Sequence, residues 1–313
     1  MFIINPDPYL LPSYLISPFQ TLDIATNNRL PESNDIDYYF KERFKNQNFT
    51  YTFTGRTAIQ KSLQHYNLQP DDVITILTTS NNFYISGCVT AEIEKFCTWN
   101  REITDKTKLI FVNHEFGFPY KNLKELKKYK LPIIEDCAHS FFSEDDQSEI
   151  GKVGDFAIYS FPKMFPIQIG GLLVSNIETS IETDLDEQAS RYIKKVLSHY
   201  IIQEKSIVKK RIHFYKKLRT AFKAFGFTER FALKEGIVPG VFMFNVNNTT
   251  IDLVKMKVYL FKHGIQSSVF FGEQAFFIPV HQHLKDEDVL YFKEVLGSFL
   301  SKESVIPTLG VIS

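Results

Sequence analysis

No apolar run in this chain is long enough to cross a bilayer, and no basic stretch precedes an apolar one at its start. Neither sign of charge is in excess: 36 Lys and Arg face 36 Asp and Glu, so no overall field draws the chain to nucleic acid or an anionic membrane. Cysteine is scarce. Cys88, Cys97 and Cys137 are far apart, odd in number and in no metal-binding spacing, which argues against a disulfide framework. Repeats and low-complexity linkers are missing as well. Together these absences predict a soluble, cytoplasmic protein with neither a nucleic acid nor a membrane as partner.

What is present is apolar and aromatic. At 313 residues the chain can bury a large core, and 30 Phe and 15 Tyr suit a packed interior and aromatic-lined sites. After an irregular arm over residues 1–34, a helical spacing over 35–46 leads to a strand-like stretch that breaks at Thr54-Gly55. A helix then starts near Thr57. Short Val-, Ile- and Phe-rich runs follow at 72–77, 108–114, 131–137, 156–161 and 170–176, separated by helical or turn segments. That alternation predicts an α/β domain with a mostly parallel central sheet between helices. From about 183 to 225 the pattern is long, charged and helical, and its strongly basic part over 191–225 reads as a solvated helix face. A smaller α+β unit follows, with a strand at 241–246, a helix at 252–264 and a last helix from about 285. The expected domains are residues 1–185 and 186–313.

One lysine stands out. In "SFPKMFPIQIGG" (160–171), Lys163 lies between Pro162 and Pro166 among Phe161, Met164 and Phe165. A lysine in apolar surroundings is costly unless its charge is removed or used. "IIEDCAH" ends a strand with Glu135 and Asp136, followed by His139, and ligands of open α/β sheets gather at such carboxyl ends. Alone, Asp136 reads equally well as a helix cap. "TGRTA" (54–58) opens a helix whose first N–H groups could hold a phosphate, with Arg56 or the Thr57 hydroxyl adding to it; alone it is an N-cap and a turn. In combination the three change meaning. Pyridoxal phosphate needs a lysine for its aldehyde, a carboxylate for its ring nitrogen and a helix start for its phosphate.

The same segments resemble a known family, the DegT/StrS-type sugar aminotransferases of the fold-type-I pyridoxal phosphate class. "TFTGRTAI" is similar to that family's Ser-Gly-Thr-x-Ala-Leu stretch, and "VNHEFGFP" to its His-Leu-Tyr-Gly-x-Pro loop. "IIEDCAHSF" resembles its Glu-Asp-x-Ala-Gln/His strand end. "IGKVGDFAIYSFPKMFPIQIGGLLVSN" resembles its lysine segment, and "FIPVHQHLKDEDVLYFKEVL" its closing Leu-Pro-x-His segment and last helix. The resemblance implies a fold-type-I transferase with a large α/β domain and a smaller C-terminal α+β domain. It implies that Lys163 forms the Schiff base, that Asp136 pairs with the ring nitrogen, and that His139 stands near the phenolic oxygen. Gly55, Arg56 and Thr57 would form the phosphate loop and Ser160 would also reach the phosphate. Phe83, with Tyr84 as its rival, would stack on the ring.

The departures from the family pattern are local. "SFPK" is shorter than its counterpart by two residues, no Asn-Tyr-Arg stretch is found, and the region before the last helix is compressed. "HQH" (281–283) has metal-like spacing but no third ligand, so no metal is expected. The implied function is an aminotransferase that cycles between pyridoxal and pyridoxamine phosphate. It would take an amino group from glutamate or glutamine to a nucleotide-linked keto sugar, in amino-sugar or cell-surface polysaccharide biosynthesis, as a homodimer. A sugar dehydratase, in which the family typically replaces the lysine with His, and a non-catalytic binding or regulatory relative are the alternatives.

Overall fold

The apolar runs of the sequence become short buried strands, and the segments between them become helices capped by their own first polar residue. The computed structural model describes residues 12–45, 47–147 and 149–304, so the first part of the expected N-terminal arm lies outside the described residues. In chain order the elements begin α1 (Thr21–Asn28), α2 (Asp35–Arg43), β1 (Asn48–Thr52), α3 (Gly55–Gln64), β2 (Val73–Thr78) and α4 (Gly87–Ile93). They continue with β3 (Thr98–Asn100), β4 (Thr107–Asn113), β5 (Ile133–Asp136), β6 (Phe156–Ser160), β7 (Gly171–Ser175), α5 (Glu187–Ile201) and α6 (Glu204–Phe222). The last are β8 (Thr228–Glu229), β9 (Val241–Asn245), α7 (Leu253–Lys262), β10 (Ser268–Phe270), β11 (Ala275–Pro279) and α8 (Asp286–Ser304). Side-chain oxygens of Thr54, Asp186 and Asp252 accept first-turn N–H groups of α3, α5 and α7, which fixes where those helices start.

β1 to β7 form a 7-stranded sheet in the order β1-β7-β6-β5-β4-β2-β3. β6, β5, β4, β2 and β3 pair in parallel, while β7 runs antiparallel to both β1 and β6. The sheet is thus mostly parallel, as its apolar runs predict. Both faces are covered. Ile74, Ile76, Leu109, Phe111, Ile134, Phe156 and Ile158 pack with Ala58, Leu63, Val89 and Ile93 of α3 and α4. On the other face Ala157, Tyr159, Leu172 and Val174 pack with Phe40 of α2 and Ile193, Val196 and Leu197 of α5.

The described residues form two compact units. One is Ser17–Val208 with Leu233–Gly240; the other is the described residues before Ser17, Lys209–Ala232 and those from Val241 on. The boundary expected at 185/186 therefore falls inside the first unit. The shift to charged sequence suggested it, but α5 buries Ile193, Val196, Leu197 and Ile201 in the core of that unit. In the second unit, β10-β11-β9-β8 form an antiparallel sheet with Phe242, Phe244 and Phe276 in its core. The strands β3, β8, β10 and β11 were not separated from their surroundings in the sequence, being short or lacking alternation. His281 and His283 lie in the turn after β11 rather than on a strand.

Phe40 is the densest point of the larger unit. Fully buried, it stacks on Phe161 at 6.0 Å between centroids and meets Phe49 at 5.6 Å edge-on. Phe40→Ala should lower stability by about 3–5 kcal/mol, while Tyr38→Ala on the outer face stays within about 0.5 kcal/mol of wild type. Tyr38 is 70% exposed, so urea unfolding that gave both variants equal losses would contradict this placement of the core.

Candidate active site

The carboxyl edge of the parallel strands carries the polar groups. β5 ends with two acids, and strand alternation sends their side chains to opposite faces. Asp136 is buried, with its Oδ2 accepting from Asn113 Nδ2 at 2.8 Å and its Oδ1 from the Ala138 N–H at 3.0 Å. Burial raises its pKa; the Ala138 N–H, His114, Asn113 and the charge of Lys163 oppose the rise without cancelling it.

Glu135 has a different task. Its Oε1 accepts from the N–H groups of Val153 at 2.9 Å and Gly154 at 2.6 Å; its Oε2 accepts from Gly151 N–H at 2.7 Å and lies 3.1 Å from His114 Nε2. The Tyr120 N–H donates to His114 Nδ1 at 3.0 Å, so that nitrogen carries a lone pair and Nε2 carries the proton that faces Glu135. His114, Glu135 and Cys137 offer ligand atoms within 4.8 Å of one another, the makings of a metal site. The hydrogen bonds decide otherwise: the imidazole has no lone pair left and the carboxylate already has four donors. This acid pins the 149–154 loop against the sheet.

Lys163 sits in a turn after β6, where Phe161–Lys163 form a single turn of 3-10 helix. The turn is tied down from several sides. Phe161 N–H donates to Gly170 O at 3.1 Å, and Ser17 Oγ and Asn27 Nδ2 each donate at 2.7 Å, to Pro162 O and Pro166 O. The N-terminal segment thus braces both prolines, a role for Ser17 and Asn27 that no motif announced. Burial lowers the lysine pKa, and the fields of Cys88 and Asp136 oppose the fall. Lysine and carboxylate therefore act on each other across the strand ends.

The helix start expected to hold an anion is built as a close approach. Thr54 Oγ1 accepts from Thr57 N–H at 3.1 Å and lies 3.0 Å from Thr57 Oγ1. The N–H groups of Gly55 and Arg56 in the first turn have no acceptor within the helix. A Cβ on Gly55 would fall 3.1 Å from Ser160 Cβ and 3.4 Å from its Oγ. One on Gly171 would fall 2.7 Å from Thr52 Oγ1 and 2.8 Å from Gly55 N. Glycine at both places lets the α3 start lie against the end of β6, which brings Gly55 beside Ser160. Arg56 is exposed.

The remaining residues differ more from one another. His139 is half-buried, with its ring 5.3 Å from that of Phe116. Phe83 lies 73% exposed, while Tyr84 is half-buried with its hydroxyl pKa raised by burial and by Cys88. Asn113, Ser17 and Asn27 were silent in the sequence, and Glu135 was visible there only as the acid beside Asp136. Only the paired acids at 135–136 carried a signal, since alternation requires the first to find partners on the opposite face.

Residues 28–183 match the model of the DegT/DnrJ/EryC1/StrS aminotransferase family. The chain is similar to GDP-perosamine synthase of Escherichia coli O157:H7, with 28% identity over 162 residues, 45% of this chain and 44% of that protein. It is also similar to UDP-4-amino-4,6-dideoxy-N-acetyl-beta-L-altrosamine transaminase of Campylobacter jejuni, with 33% identity over 81 residues, 25% of this chain and 19% of that one. The matched stretches span less than half the length of these curated relatives. Among solved structures, the aminotransferase TlmJ from Streptoalloteichus hindustanus shares the fold with a TM-score of 0.72 and 14% identity, over 93% of this chain and all 100% of that one. A DegT DnrJ EryC1 StrS aminotransferase from Brucella abortus does so with a TM-score of 0.67 and 14% identity, over 89% and 93% of the two chains. The chain belongs to the DegT/DnrJ/EryC1/StrS aminotransferase family.

Proposed function

We propose that this chain is an aminotransferase that uses pyridoxal phosphate to carry an amino group from glutamate or glutamine to a nucleotide-linked keto sugar. Such a reaction belongs to amino-sugar and cell-surface polysaccharide synthesis. The observation that carries the reading is the pair of opposite charges, Asp136 and Lys163, both desolvated and within each other's field at the sheet's carboxyl edge. The names of the relatives, a perosamine synthase and an altrosamine transaminase, support a sugar as the acceptor.

The residues present fit the cofactor. Each Asp136 oxygen takes one N–H, which leaves a lone pair for a protonated pyridine nitrogen. The first-turn amides of α3, together with Ser160 brought against Gly55, suit a phosphate. Once bound, the cofactor supplies an aldehyde that bonds amines and a ring that takes up electron density from the adjoining carbon. Asp136 would hold the proton on the ring nitrogen, and its burial would make that interaction stronger than it is in water. Burial lowers the Lys163 pKa, which eases the proton loss that bonding an aldehyde would require. Once free of the aldehyde, the lysine Nζ would take the proton from the donor's α-carbon and later return one to the acceptor. The exposed Phe83 ring would cover one side of the pyridine, and His139, with its ring against that of Phe116, would stand near its phenolic oxygen. Arg56 would add charge to the phosphate end.

A homodimer is part of the proposal. Leu22, Tyr38, Phe53 and Phe83 of the larger unit are exposed at 74%, 70%, 45% and 73%, apolar area that a second copy would cover. The three free thiols of Cys88, Cys97 and Cys137 support a reducing, cytoplasmic compartment. Sedimentation of the cofactor-loaded protein as a dimer at micromolar concentration is expected; a monomer would contradict the assembly.

Two further outcomes follow from the site. In stopped-flow spectra, glutamate or glutamine should convert the bound cofactor to its pyridoxamine form. A nucleotide-linked keto sugar should then restore the aldehyde far faster than pyruvate or oxaloacetate does. Restoration by small keto acids alone would overturn the sugar assignment, and no conversion by any donor would favour a non-catalytic role.

The lowered lysine pKa gives a pH signature in the cofactor-free protein. Below the ordinary value of 10.5 the unfolded chain binds a proton that the folded chain holds less tightly, so the lysine destabilises the fold there. Lys163→Met should raise the melting temperature of the apoprotein near neutral pH, and the gain should shrink as pH approaches 10.5. A gain that grew with pH would contradict the assignment of the shift to burial.

A further inference from the structure

β2 and β4 end side by side, and each runs into a loop that carries an aromatic ring. After β2 the turn from Thr78 to Asn82 leads to Phe83. After β4, the segment His114–Gly117 carries Phe116, which is held in the left-handed region at φ 53° and meets His139. Glu115, only 3% exposed, joins the two loops. Its Oε2 accepts from the Ser80 N–H at 2.6 Å, and its own N–H donates to Thr79 Oγ1 at 3.0 Å; that hydroxyl donates in turn to Phe118 O at 2.7 Å.

A cation completes the arrangement. β3 and β4 flank β2, both parallel to it, and the link over residues 101–106 joins them without a helix. The short link is held by Thr75, whose Oγ1 lies 2.7 Å from Asn100 Oδ1 and 2.8 Å from Thr107 Oγ1. Arg101, the first residue of the link, reaches along β2 to its last residue, where its Nη2 donates to Thr78 Oγ1 at 3.2 Å. Its Nη1 is buried with no hydrogen-bond partner among the described residues. Burial lowers its pKa, and Glu115 is the anion whose field opposes that fall. A half-buried guanidinium and a buried carboxylate therefore flank one short turn, one bonded to its first residue and the other to its third. Hydrogen bonds to a charged acceptor are stronger than those to a neutral one, so this turn is held more firmly than a carbonyl could hold it.

We propose that Glu115, with Arg101 as its counter-ion, is a positioning residue that fixes the turn from Thr78 to Asn82 and so aims the Phe83 ring at the cofactor; the inference rests on the cofactor site proposed above. The turn contains Asn81 at φ 57° and has Asn82 Oδ1 accepting from Phe83 N–H at 2.7 Å, so a shift at Ser80 is passed to Phe83 within three residues.

The test combines amide hydrogen exchange with titration of the apoprotein by pyridoxal phosphate, read by absorbance. Glu115→Ala should speed exchange at Ser80–Phe83 and weaken the cofactor by roughly tenfold, the loss of one charge-assisted hydrogen bond. Phe83→Ala should weaken it as much, and the double variant should lose no more than Phe83→Ala alone, because the two act through the same ring. Glu115→Gln, which retains an oxygen for Ser80 N–H, should fall between and guards against a misfolded Ala variant. Wild-type affinity in Glu115→Ala, or losses that add in full, would overturn the inference. A wild-type protein that took up no cofactor would instead overturn the site reading, and the exchange at Ser80 would still decide whether Glu115 holds the turn.

Discussion

A carboxylate withdrawn from water at the end of β5 sets the terms for the rest of the larger unit. Burying Asp136 is unfavourable, and the rise in its pKa measures how far its two N–H donors and neighbouring charges fall short of full compensation. Lys163 is desolvated as well, and the two act on each other together with His114 and Cys88, in a place with little solvent screening. Neither would survive there as a structural ion pair of much value, because desolvation consumes most of the attraction. The proposed cofactor, hydrogen-bonded to one and covalently bonded to the other, would offset both costs.

Holding such a pair requires rigid surroundings, and the structure supplies them from distant parts of the chain. Glu135 turns the opposite way from Asp136 and pins the 149–154 loop with both oxygens, which fixes the strand that carries Asp136. Ser17 and Asn27 hold the carbonyls of the two prolines around Lys163. Phe161, the residue that opens the lysine turn, is buried among Phe40, Tyr51, Phe141 and Phe165, so the turn is anchored in the aromatic core. The heavy phenylalanine content thereby has a local use: rings of two rotatable angles fill the floor of the site with little entropy loss.

Much of this was legible in the sequence, and the reasons are specific. The strands β2, β4, β5, β6 and β7 are buried on both faces and so appear as unbroken apolar runs. Lys163, Asp136 and the Thr54–Thr57 helix start were visible because each breaks a local rule: a charge among apolar residues, an acid at a strand end, a glycine at a helix start. The domain boundary was less visible, because α5 hides an apolar face within a basic stretch and Leu233–Gly240 rejoins the larger unit late in the chain. The bracing residues were silent for another reason. Ser17, Asn27, Asn113 and Glu115 are ordinary polar residues whose meaning lies in partners far along the chain or in loops with no periodicity. Sequence spacing reports period and punctuation; it does not report which loops meet.

The central claim is that Lys163 is the residue that bonds the cofactor. Borohydride reduction of the protein loaded with pyridoxal phosphate, followed by peptide mapping, tests it most directly. The account predicts a single stable adduct on the peptide that contains Lys163, lost in Lys163→Ala. An adduct on any other lysine, or none in a protein that has taken up the cofactor, would contradict it.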